Sequence, residues 1–169
     1  MVLGRVREAV RAGRRRAARL ASLDHWELVA TSLSQVFFAF ALTVVLLYGW
    51  AEYLGCEPFS SVAKLAYGAT AIVFLVLSYL AFERVKSVDF WDFIAGILFT
   101  GEIRRYPHGR AVDLAAAQLY FGLVLIAVTP VLVKYYENTS VAAGVLTLGG
   151  LLVAVGVALY VLSGSRLRP

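Results

Sequence analysis

A chain of 169 residues that is 60% hydrophobic, with mean hydropathy +0.76, is more apolar than a soluble domain, and the excess is gathered in long blocks. A single Cys excludes an intrachain disulfide and a cysteine-built metal site. Both histidines, His25 and His108, fall outside the blocks, so no haem held by two histidines is expected in a bilayer, and no metal or other cofactor is expected. Asn occurs once and Gln twice while Arg is abundant, a thermophile-like composition.

The chain opens on a basic segment, residues 1–22, containing "RVREAVRAGRRRAARLA". At helical spacing Val2, Leu3, Val6, Val10, Gly13, Ala17 and Leu20 share one arc. Arg5, Arg7, Arg11, Arg14, Arg15, Arg16 and Arg19 fall on the other. This predicts an amphipathic helix that binds anionic headgroups, mainly through charge. No aromatic interleaves the arginines, so nucleic acid is not expected as the partner. No small-residue cleavage site follows, and the next block reads as a retained anchor.

That block, residues 26–54, is the first predicted span. The second covers residues 62–82. Each carries roughly the twenty apolar residues that a crossing helix needs. Thr31, Ser34 and Gln35 lie in the first half of span one, and Ser78 lies at comparable depth in span two. With Gln118 of span three they form an intramembrane polar set. An unpartnered amide in lipid is costly, so these groups bond across helices or face a wet cavity.

Residues 83–110 form a central loop that contains "DFWDFIAGILFTGEIRRYPHGR". Residues 88–100 are predicted to make a helix too short to span, lying in the interface. Ser87 is the expected N-cap and Gly101 the expected stop. Asp89, Asp92, Gly96 and Thr100 share a face expected to meet water, with Phe90, Trp91, Phe93, Ile94, Ile97 and Leu98 toward lipid. A re-entrant loop is the alternative. Glu102, Arg104, Arg105, His108 and Arg110 follow as a charged cluster that reads as a headgroup or partner contact. With Asp89 and Asp92 they make up the loop's candidate contact surface.

Spans three and four cover residues 111–133 and 141–162. Pro130 is expected to kink the third. In the fourth, Gly150, Ala154 and Ala158 recur every four residues and predict close helix packing. Asn138-Thr139-Ser140, between these spans, matches a glycosylation acceptor. Trp26, Trp50, Tyr53, Tyr135, Tyr136 and Tyr160 sit near block ends, as interfacial rings do.

Of 16 Lys and Arg, only Lys64 and Lys134 fall on one side of these spans. The positive-inside rule then places both termini and the central loop in the cytoplasm, with the chain in the cell membrane. The expected architecture is an all-α, single-domain, four-helix membrane bundle with two surface helices on the cytoplasmic side. No span carries an ionisable group deep inside, which disfavours a proton-coupled pump. The function expected is a non-catalytic subunit or scaffold of a larger membrane assembly, with membrane lipid and either copies of itself or other membrane subunits as partners. An oligomeric channel or transporter is the alternative. An enzyme acting on lipid or prenyl substrates, with Asp89, Asp92 and Glu102 as its carboxylates, is a second.

Overall fold

The structure, a computed structural model, describes residues 2–53, 61–136 and 139–165. Among them are seven helices: α1 (Val2–Leu20), α2 (His25–Tyr53), α3 (Ser61–Glu83), α4 (Phe90–Leu98), α5 (Thr100–Ile103), α6 (Pro107–Tyr136) and α7 (Thr139–Ser165). No strand occurs among the described residues. Asn138, Cys56 and the arginines after Ser165 lie outside them.

Four helices, α2, α3, α6 and α7, are long and apolar enough to cross a membrane, as the block lengths predict for an integral membrane protein. Lipid offers the backbone no hydrogen-bond partner, so an apolar run of this length satisfies itself as helix. Their lengths exceed the need. At 1.5 Å per residue α2 reaches about 43 Å and α6 about 45 Å, against a hydrocarbon core of about 30 Å.

The spans lie in the order α3, α2, α6, α7. Half of the α2 crossing segment is buried, against under a fifth in the others. It is therefore the central helix, with α3 on one side and α6 on the other. Where α6 meets α7 the backbones touch. A Cβ added at Gly122 would stand 2.7 Å from the Gly149 carbonyl oxygen, and one at Gly156 would stand 2.8 Å from the Leu119 nitrogen. Association in lipid rests on close packing rather than on water exclusion, so only glycine suits these crossing points. α6 continues as helix through Pro130.

At one end, α1 lies across α4 and α5. Its apolar stripe turns inward along the second half: Ala17 and Leu20 are buried, and Gly13 abuts Phe99. Val6 and Val10, nearer the start, stay open. The short helix departs from the predicted 88–100 in bounds and orientation. It starts at Phe90, capped by the Asp89 carboxylate accepting from the Asp92 N–H at 2.7 Å. Ser87 instead donates to the Glu27 carboxylate. The chain breaks helical geometry at Phe99 (φ −123°, ψ 42°), and Gly101 falls inside α5 rather than ending α4. Asp92 and Gly96 are buried against protein, whereas Phe90, Trp91 and Leu98 are exposed. The expectation that the aspartate face meets water fails at Asp92 because arginines of α1 cover it.

Candidate functional site

Two groups of side chains meet at the capped end. The first is an ionic seam. Arg16 donates to both Asp89 oxygens, at 3.1 and 3.3 Å, and reaches Asp92 at 3.4 Å. Arg19 donates to Asp92 at 3.0 Å. Arg14 stands 3.8 Å from Glu102, which also takes Arg105 at 3.0 Å. At 100° per residue, Arg14 and Arg16 flank the buried stripe of α1 on either side, so both reach around it to the acids beneath. Arg5, Arg7, Arg11 and Arg15 remain exposed. The Asp89 carboxyl is held below its usual range, first by the Asp92 backbone N–H and then by Arg16.

The second group is a cavity of ≈ 240 Å³ under this seam. Its floor is α2, through Leu28, Val36 and Ala39. One wall is Ile97 to Ile103 of α4 and α5. The other is α6, through Val112, Ala116 and Tyr120, and Leu20 of α1 also lines it. At the mouth, Arg104 donates through Nε to Asp113. The polar side chains of the floor are already engaged. Thr31 donates to the Glu27 carbonyl at 2.8 Å, Ser32 shares 2.9 Å with the Tyr160 hydroxyl, and Gln35 donates to the Phe93 carbonyl at 2.8 Å. Tyr120 does the same with Thr43 at 2.7 Å. The cavity therefore presents mainly carbon.

The predicted intramembrane polar set is divided among four places. Ser34 and Ser78 exchange bonds, each donating to the other's carbonyl at 2.8 Å. Thr31 bonds within its own helix. Gln35 ties α2 to α4. Gln118 stands on the other side of α6 from Tyr120 and makes no side-chain hydrogen bond among the described residues. The loop cluster also divides. Glu102 and Arg105 join the seam, Arg104 turns to Asp113, Arg110 is exposed, and His108 points inward. The stripe Gly150, Ala154, Ala158 faces outward, with nothing within 4 Å of a Cβ at Gly150. Gly149 and Gly156, in the neighbouring registers, hold α6 instead.

Three contacts were not foreseen from the sequence. Tyr160, read as an interfacial ring, is 6% exposed and ties α7 to Ser32 of α2. Tyr67 donates to the Ala127 carbonyl at 2.6 Å, tying α3 to α6. His25 and His108 stack with ring centroids 4.9 Å apart, and neither ring nitrogen of His25 nor Nδ1 of His108 has a partner among the described residues. A phenol or imidazole inside or beside a span was the available signal, since such a group must find a partner or water. Among the described residues, no group of three or more His, Cys, Asp or Glu stands close enough to hold a metal ion.

Compared with known proteins, the chain matches no family model, no curated sequence and no solved structure. What defines it is the geometry: four helices fit to span a membrane, with an ionic cap over one end.

Proposed function

We propose that this protein is a non-catalytic subunit or scaffold of a larger membrane assembly, built as a four-helix bundle in the cell membrane. Both termini and the α1–α4–α5 cap lie in the cytoplasm, where Lys and Arg concentrate. The exposed arginines of α1 meet anionic headgroups there.

One observation carries the reading. α7 bears two stripes of small residues, and only one is used among the described residues. Gly149 and Gly156 close on α6, while Gly150, Ala154 and Ala158 stay open on the outer face. Small residues on a lipid-facing surface give little packing of their own, but they admit a second helix closely. A neighbouring subunit, either a second copy or another membrane chain, is the occupant this face fits.

The test is the mass and composition of the particle released from native membranes by mild detergent. The wild-type chain is expected in a complex heavier than one copy. Gly150→Leu or Ala154→Leu is expected to release the single chain without lowering its own melting temperature, because nothing lies within 4 Å of a Cβ at Gly150. Gly156→Leu is expected to unfold the α6–α7 pair instead. A wild-type chain that is solitary in native membranes, or a complex indifferent to Gly150→Leu, overturns the proposal.

A further inference from the structure

We infer that the cavity between α2 and α6 is a lipid site that takes part of one acyl chain of an anionic phospholipid, with the headgroup at Arg104. Three observations converge on this occupant.

The first is size. At ≈ 240 Å³ the cavity exceeds the roughly 150 Å³ of an apolar cavity that accepts a benzene ring, and it falls below the 300–1,000 Å³ usual for a whole ligand. A stretch of one hydrocarbon chain matches it.

The second is polarity. Thr31, Ser32, Gln35 and Tyr120 all line the cavity, and each has its side-chain bond satisfied by protein. Apart from the Thr100 hydroxyl and the Gln35 side-chain oxygen, which make no hydrogen bond among the described residues, the wall is carbon or already bonded, and methylenes fit such a surface at little desolvation cost.

The third is charge at the mouth. Arg104 gives Nε to Asp113, and its terminal nitrogens make no other hydrogen bond among the described residues. Its side chain is 53% exposed. Asp113, the one acid among the lining residues, takes Nε and leaves the two terminal nitrogens of Arg104 for a headgroup. Arginine's fork suits a phosphate, and a phosphodiester at a membrane surface is anchored by the chain it carries. The site needs only that the chain resides in a membrane, and nothing in it depends on a partner helix at α7.

The experiment is native mass spectrometry of the full chain, stripped in detergent and titrated with phosphatidylglycerol or phosphatidylcholine. One phosphatidylglycerol per chain is expected to remain bound, at least about tenfold tighter than phosphatidylcholine. Decyl phosphate is expected to displace it and inorganic phosphate is not, which separates an anchored headgroup from a free-anion site. Ala117→Phe, at the cavity's edge, is expected to lower occupancy at least about tenfold with the melting temperature unchanged. Ala116→Phe, deeper in, is expected to do the same if the chain still folds. Equal retention of both lipids, displacement by inorganic phosphate alone, or occupancy indifferent to Ala117→Phe in a folded chain each overturns the inference.

Discussion

Asp92 is the point on which the cap turns. Its side chain is only 8% exposed, yet both its cationic partners reach it from the surface, Arg16 at 36% and Arg19 at 65% exposure. That asymmetry sets unequal costs for removing either side. Asp92→Ala deletes two charge-assisted contacts but leaves two arginines that water readily solvates. A hydrogen bond to a charged group is worth about 1.5–3 kcal/mol when buried, and exposure of the donors brings the pair to about 2 kcal/mol. Arg16→Ala combined with Arg19→Ala leaves a carboxylate that protein has already desolvated. The cost then rises toward about 3–5 kcal/mol, the range for a buried charge deprived of its partner.

Hydrogen exchange of the α1 amides reads both, because α1 must leave α4 and α5 as a unit to open. A loss of 2 kcal/mol multiplies the open fraction about 30-fold. The α1 amides of Asp92→Ala should therefore exchange about 30-fold faster than wild type, and those of the double arginine variant faster still. The reverse ranking, with the aspartate variant the more damaged, would refute the buried-charge account. Unchanged exchange in both would show that the apolar stripe of Ala17 and Leu20 holds α1 alone.

Two further outcomes are expected. Gln35→Leu removes the donor to the Phe93 carbonyl and should lower stability by about 0.5–2 kcal/mol, whereas Gln118→Leu removes no bond and should stay within about 0.5 kcal/mol; denaturation in mixed micelles measures both, and equal losses would contradict the geometry. Asp89 has a folded-state pKa below its unfolded value, so its contribution to the cap is present above about pH 4 and is lost as pH falls through the lowered value. Hydrogen-exchange protection of the α1 amides should hold at about pH 5 and fall only in stronger acid; a fall beginning above about pH 5 would count against it.

The four spans were legible because the demand that lipid makes is one-dimensional. About twenty apolar residues in a row can be counted without knowing any contact. The attitude of α4 was not legible for the opposite reason. Asp89 and Asp92 on one face say only that this face needs water or cations. The cations are Arg16 and Arg19, more than 70 positions earlier in the chain. Nothing local distinguishes an acid facing solvent from one facing a distant arginine. Span four posed a related problem of register. Gly149 to Gly156 and Gly150 to Ala158 are both plausible packing stripes on one helix, and their choice of face depends on where α6 stands. The polar set divided because depth along a span gives height but not azimuth. Ser34 and Ser78 share a height and meet, while Gln35 bonds to α4 and Gln118 makes no side-chain hydrogen bond among the described residues.

The cap and the cavity constrain each other through α1. Leu20 lines the cavity and belongs to the stripe that docks the helix, so whatever lifts α1 also removes part of the cavity's wall. The arginines divide in two directions around that stripe. Arg14, Arg16 and Arg19 grip acids of α4 and α5 or their flank, whereas Arg5, Arg7, Arg11 and Arg15 stay exposed. An anionic membrane surface can therefore engage the second group without breaking the first. On the proposed function, headgroup binding and docking would add rather than compete, and high salt should weaken binding to anionic vesicles before it loosens the seam, because Asp92 is shielded from solvent and the exposed arginines are not.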